Sequence, residues 1–212
     1  MLAVEESAQA YTVRSVKLEI RFRHVGDRWQ HSISIRHRGE SLPLMGSDEG
    51  SPVDEVPPSP ALQDLRLERL SADVVEFQLL GQAGKGIYSA AVQFDGAAQS
   101  IDFDFCSRRR AAESQLCIAS RYALTRGLES RIALHGDVLV VEMAPAESAV
   151  HLSPVAISDQ PATRCRLVAA GPVARIVAGC VETTRVDFTN KKGANVRWRY
   201  RIGVTDLLEF RH

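Results

Sequence analysis

Apolar and charged residues alternate without interruption in Val16-Lys17-Leu18-Glu19-Ile20-Arg21-Phe22-Arg23. Successive side chains of a β-strand point to opposite faces of a sheet, so this stretch has one apolar and one charged face. A helix would distribute the same apolar residues around its whole circumference. The pattern therefore predicts a strand of an antiparallel sheet, with one face on a core and the other in water.

The same period of two recurs along most of the chain, for example at residues 196–202. Turn signals such as Asp95-Gly96 separate the alternating runs, and no run with a helical period lies between them. In residues 11–24 the apolar parity changes once, which we interpret as a β-bulge or a bend within one strand. We predict an all-β fold, an antiparallel β-sandwich or barrel of about a dozen short strands with little helix.

The chain length favours one domain. Its 212 residues, 45% of them hydrophobic, suffice for a single all-β domain with a sizeable core. We predict that residues 1–10 form a flexible leader, that residues 11–205 form the domain, and that residues 206–212 are a short C-terminal segment.

Residues 38–61 interrupt the alternating pattern. This segment holds five prolines and three glycines, and its acidic residues have no lysine or arginine after Arg38. Because proline lacks a backbone donor, we predict an irregular loop and not a central strand. Long loops are usually either functional or disordered. We expect this one to cross an open end of the fold and to border a binding cleft near Trp29 and His31; a disordered tether is the alternative.

Composition limits the classes of partner, cofactor and compartment. The 26 basic and 26 acidic residues cancel, which argues against non-specific affinity for nucleic acid. We find neither a secretory signal pattern nor an apolar run of about 18 residues, so we expect a soluble, cytoplasmic protein that does not cross a membrane. Four cysteines lack the spacing of a metal site, so we expect reduced thiols, no metal and no cofactor. They are Cys106, Cys117, Cys165 and Cys180.

Three residues are candidates for ligand binding in the cleft. Trp29 and His31 share one face of a predicted strand. Glu142 lies in a predicted strand at residues 138–143 that is apolar on both parities, where a carboxylate is costly to bury unless it is paired. We therefore predict that Trp29, His31 and Glu142 line the cleft.

Arginine rows suggest a second kind of site. Arg197, Arg199 and Arg201 fall on one face of the last long strand, and we predict them as an anion-binding surface. The aromatic residues between them take the opposite parity, so we expect those rings in the core. The alternative for the arginines is ion pairing with acids of neighbouring strands, such as Asp102 and Asp104.

A second basic row, formed by Lys17, Arg21 and Arg23, is interrupted by Glu19. It shares one strand face, as the first row does. Both rows could contribute to binding of an anionic polymer.

These observations leave three classes of function. We favour a non-catalytic β-domain that binds a small molecule or a protein partner in a cleft bordered by residues 38–61. One alternative is an enzyme whose site is assembled from scattered polar residues such as His31, Glu142 and Asp104. The other is a binder of nucleic acid or an anionic polymer through its arginine rows. A homodimer formed through an edge strand also remains open.

Overall fold

The structure, a computed structural model, describes residues 2–109, 120–125, 130–135, 138–143, 148–154, 165–170, 173–178 and 195–206. This part of the chain contains sixteen strands and no helix, which confirms the predicted all-β class. The strands are β1 (Ala3–Ser7), β2 (Ala10–Arg14), β3 (Leu18–Val25), β4 (Arg28–His37), β5 (Glu40–Ser47), β6 (Asp64–Arg69), β7 (Val74–Ala83), β8 (Gly86–Asp95), β9 (Ser100–Arg109), β10 (Ser120–Leu124), β11 (Ser130–His135), β12 (Val138–Met143), β13 (Ser148–Pro154), β14 (Cys165–Ala170), β15 (Val173–Ala178) and β16 (Asn195–Asp206).

The strands form two antiparallel sheets. Sheet I has the order β1-β2-β3-β4-β5-β10-β15-β14, and sheet II has the order β11-β12-β13-β16-β9-β8-β7-β6. Each sheet ends in edge strands, so the fold is an open sandwich and not a closed barrel. Among the described residues, no helix has the length and hydrophobicity that a membrane span requires.

The core lies between the inner faces of the two sheets. Burial along β8 alternates with a period of two, as the sequence pattern predicts. Phe22 of sheet I contacts Phe77 of sheet II with 4.5 Å between ring centroids. Trp198 and Tyr200 are fully buried, which confirms that the rings between the β16 arginines belong to the core.

The parity change in residues 11–24 marks a turn and not a bulge. The chain reverses at residues 15–17, and β2 and β3 pair as a hairpin. The side-chain carbonyl of Gln99 accepts hydrogen bonds from the Ser15 hydroxyl and from the Lys17 backbone N–H, both at 2.8 Å. A distant glutamine therefore closes a turn that lacks glycine and proline.

The predicted flexible leader also needs correction, because residues 3–7 form β1 and pair with β2. Leu2 is buried, and a Cβ on Gly96 would lie 2.5 Å from its Cδ2 atom. The alternation is weak in β1 because nearly all of this edge strand is exposed. The leader is therefore part of the sandwich.

The irregular segment begins later than predicted. Residues 40–47 form β5, which lies between β4 and β10, so the prediction that no central strand occurs here was wrong. The backbone tolerates Pro43 because β10 pairs only with residues 45–47 of β5, and Pro43 lies where that side of the strand is open. The β4–β5 register also shifts beside it, after Ile33.

Candidate functional site

The remaining irregular segment, residues 48–63, crosses from sheet I to sheet II. At its start the Asp48 N–H donates to the Arg121 carbonyl at 2.8 Å, and the Ser59 hydroxyl accepts from the Arg121 N–H at 2.7 Å. At its end the Leu62 carbonyl accepts from the Trp29 N–H at 2.7 Å. These bonds hold the segment against sheet I, close to Trp29 as predicted. The Gln63 N–H donates to the Leu80 carbonyl of sheet II at 2.8 Å.

A buried polar cluster lies where this segment meets the two sheets. His31 Nε2 is 2.7 Å from the hydroxyl of Tyr122, which is 2.6 Å from the hydroxyl of Tyr200. His31 Nδ1 is 3.8 Å from Oε1 of Glu49. The cluster thus connects β4 and β10 of sheet I to β16 of sheet II through side-chain hydrogen bonds.

Burial sets the protonation states in this cluster. It lowers the pKa of His31 to about 3 and raises the pKa of Glu49 to about 8, so both are uncharged at neutral pH. Burial also raises the pKa of Tyr122 well above its usual value. The exposed fractions of His31 and Glu49 are only 6% and 2%, so both side chains lie in the interior. We therefore assign the cluster a role in joining the sheets.

Trp29 also faces the interior. Its ring packs on Tyr11 at 5.6 Å and on His24 at 5.1 Å between centroids. Glu142 lies in β12, where its backbone is opposite Arg131 and Ala149, but its side chain is outside the described part of the structure. Its predicted contribution to a cleft stays a prediction.

The arginines of β16 lie on the outer face of sheet II and contact carboxylates of β9. Arg201 binds Asp102 through two hydrogen bonds of 2.8 Å, and Arg197 binds both carboxylate oxygens of Asp104. Arg199 lies 3.3 Å from Asp104. The alternative of ion pairing is thus confirmed, and an anion would compete with these carboxylates. Asp104 lies outside the sandwich and His31 inside it, so the structure does not bring these two together.

An open groove of about 850 Å³ lies on the same outer face of sheet II. Its floor consists of small side chains, namely Ser89 and Ala91 of β8 and Cys106 of β9. Longer side chains form its walls: Arg66, Gln78 and Leu80 on the side of β6 and β7, and Asp104, Asn195 and Arg197 on the side of β9 and β16.

Strand register creates the groove. Ala91 lies opposite both Gln78 and Asp104, and Ser89 lies opposite both Leu80 and Cys106. Small outward-facing residues are therefore flanked by longer ones on neighbouring strands. Small residues at alternate positions of β8 are visible in the sequence, but the cross-strand alignment that makes a groove is not.

Residues 61 and 62 cross the inner face of sheet II at Gly81, and both are buried in the core. A Cβ on Gly81 would lie 1.9 Å from the Ala61 carbonyl oxygen, so the backbone of the crossing segment passes directly over Gly81. Gly81 follows Leu80, which is in the groove wall. Successive residues of β7 alternate in direction, so the contact at Gly81 is on the face of sheet II opposite the groove. The predicted cleft bordered by residues 38–61 stays a prediction.

Cys106 contributes a thiol, a potentially reactive group, to the groove floor. Burial raises the pKa of its thiol, and Asp104 adds to this effect while Arg197 opposes it. A thiol with a raised pKa is a poor nucleophile at neutral pH. Within the described residues no group of three or more His, Cys, Asp or Glu side chains could hold a metal ion.

Comparison with known proteins assigns no function to this site. The sequence matches no model of a known protein family, and no curated protein is significantly similar to it. The function therefore has to be argued from the geometry of the fold.

Proposed function

We propose that the protein is a non-catalytic binding module that holds a small, polar molecule of little net charge in the groove of sheet II. The observation that carries this proposal is the floor of small side chains, Ser89, Ala91 and Cys106, between taller walls. The space between the walls is two to three strand spacings wide, or about 10–14 Å. Its volume of about 850 Å³ is within the range of known ligand sites, roughly 300–1,000 Å³.

The groove lining carries carboxylates and guanidinium groups side by side, which supports a ligand of little net charge; they are Asp64, Glu76, Asp104, Arg66 and Arg197. Arg197 and Asp104 largely satisfy each other, so neither presents an isolated charge to the groove. Gln78 and Asn195 carry amides, which both donate and accept hydrogen bonds and so match hydroxyl or amide groups of a ligand. Leu80 is 57% exposed and offers an apolar contact. A sugar, a polyol or a small amide has this combination of groups.

The same groups favour binding over catalysis. Asp104 contacts both Arg197 and Arg199, and the Cys106 thiol has a raised pKa. The residues described along the groove include no histidine or lysine that could act as a base. The histidine of the fold that has a perturbed pKa, His31, lies in the interior and not in this groove.

Ligand-observed NMR with a panel of neutral sugars, polyols and small amides tests the proposal. Ala91→Phe fills the floor from an outward-facing position, and Gln93→Phe is the matched control because Gln93 faces outward on the same strand beyond the groove lining. We expect compounds that bind the wild type to bind Gln93→Phe and not Ala91→Phe. Equal binding to both variants, or no binding of any neutral compound to the wild type, would contradict the proposal.

A further inference from the structure

A second depression lies on the opposite outer face, on sheet I. It encloses about 260 Å³ and is independent of the groove of sheet II. Its lining comes from β3, β4 and β5: Arg21, Arg23, Gln30, His31, Ser32, Gly46 and Ser47. We call it the arginine hollow.

Cross-strand register builds the arginine hollow from outward-facing side chains. Arg21 lies opposite Ser32, and Ser32 lies opposite Gly46; Arg23 lies opposite Gln30. Arg21 and Arg23 are two residues apart on one strand, so their side chains leave the same face about 7 Å apart. Two guanidinium groups, an amide and a hydroxyl thus surround one point of the sheet surface.

Gly46 provides the space in the hollow. A Cβ at Gly46 would meet no atom within 4 Å, and its φ is not in the left-handed region, so the backbone itself does not require glycine there. On the far side, Gly46 lies opposite Ala123, which is exposed and also small. Because Gly46 and Ala123 are both small, an open space lies beside the two arginines on the outer face of sheet I.

Within the described residues neither Arg21 nor Arg23 pairs with a carboxylate, in contrast to the arginines of β16. Both are exposed. The nearest acid on their own strand, Glu19, is bound by Arg14 and by the Ser41 hydroxyl. Asp48, two residues beyond Gly46, accepts a hydrogen bond from the Gly50 N–H at 3.2 Å. Glu19 is thus paired with Arg14 and not with Arg21 or Arg23.

From this arrangement we propose that the arginine hollow binds a phosphate-class oxyanion, either free phosphate or the terminal group of a small phosphomonoester. Arginine forms paired hydrogen bonds to such oxygens with a geometry that lysine lacks. Ser32 and Gln30 supply further donors, and the gap at Gly46 admits the tetrahedral group. The volume of about 260 Å³ is smaller than that of most sites for drug-sized ligands.

Isothermal titration calorimetry at low ionic strength tests this inference, with inorganic phosphate and glycerol phosphate as separate probes. Low salt is needed because screening weakens exposed charge pairs. We expect both probes to bind the wild type, and Arg21→Gln or Arg23→Gln to weaken binding at least tenfold. Gly46→Glu places a carboxylate in open space, so we expect a folded protein that does not bind. Arg69→Gln, an exposed arginine on the other sheet outside the groove lining, is the matched control.

Each outcome has a defined meaning. Binding of glycerol phosphate alone would assign the hollow to phosphomonoesters, and binding of both probes would assign it to the phosphate group itself. Binding that survives Gly46→Glu would place the anion elsewhere and overturn the inference. No heat of binding to the wild type at phosphate concentrations up to about 10 mM, enough to fill a millimolar site, would overturn it as well.

Discussion

Glu49 is buried, although its local sequence predicts an exposed side chain. It lies in an acidic, proline-rich segment that predicts solvation, yet it is almost completely buried beside His31. Arg28 donates a hydrogen bond to its backbone carbonyl at 2.7 Å while its guanidinium pairs with Asp27. The Glu49 carboxyl is therefore buried without a direct ion pair to Arg28, and a raised pKa follows from that.

The two buried titratable groups predict a pH dependence of stability. Glu49 has a pKa of 4.5 when unfolded and about 8 when folded, so the folded state holds an extra proton between these values and stability falls as pH rises through them. His31 has a pKa of 6.5 when unfolded and about 3 when folded, so stability rises with pH between 3 and 6.5. The two trends offset each other between 4.5 and 6.5, and only the decline due to Glu49 remains from 6.5 to 8.

Glu49→Gln should remove that decline, because an amide does not ionise. Urea unfolding at pH 6.5 and at pH 8 measures it: we expect the wild type to lose up to about 2 kcal/mol between these values and the variant to change much less. Parallel profiles for the two proteins would show that Glu49 does not hold its proton in the folded state.

At the scale of the elements, residues 61 and 62 cross close to Gly81 of β7. Of the described glycines, Gly81 leaves the least space for an added Cβ. A Cβ at Gly81 would lie 1.9 Å from the Ala61 oxygen and 2.7 Å from the Leu62 Cα, and both are backbone atoms that cannot rotate away. We therefore expect Gly81→Ala to destabilise the fold by about 1–3 kcal/mol. The control is Gly46→Ala, where open space predicts no loss and a gain of about 0.5–1 kcal/mol. Urea midpoints measure both; equal midpoints for the two variants would contradict the crossing.

Strands were predicted correctly where the apolar pattern extends over the whole strand. The predicted strand at residues 138–143 has the same bounds as β12. The prediction failed at β5, because this strand is paired differently along its two sides. Proline generally excludes a central strand, but β5 is paired on only one side at Pro43. It also failed at the β2–β3 turn, because the capping group comes from Gln99, more than eighty residues away. The site was less predictable than the fold, since grooves depend on register between strands.

At the scale of the whole molecule, residues 48–63 connect the two sheets, and the connection divides into two parts. Residues 51–56 are largely exposed, whereas Pro57, Ser59 and Pro60 are buried, as are residues 61 and 62. We expect replacement of residues 51–56 by a Gly-Ser linker to change stability little. The same replacement of residues 57–62 should lower the unfolding midpoint strongly, because it removes buried side chains and the hydrogen bond from the Arg121 N–H to the Ser59 hydroxyl.

Circular dichroism during urea unfolding follows both replacements. A single cooperative transition is expected for each, as in the wild type, because the sheets share one core. Two separate transitions in the second variant would show that the sheets unfold independently. A loss of stability in the first variant as large as in the second would show that the exposed part of the segment also holds the fold.

The groove and the arginine hollow face away from each other, on the two outer sides of a sandwich. Stacked sheets are only about 10 Å apart, yet the packed core keeps occupants of the two sides from touching. Nothing bound on one side obstructs access to the other. With a phosphate group in the arginine hollow, the groove would still be open to the solution on the other side.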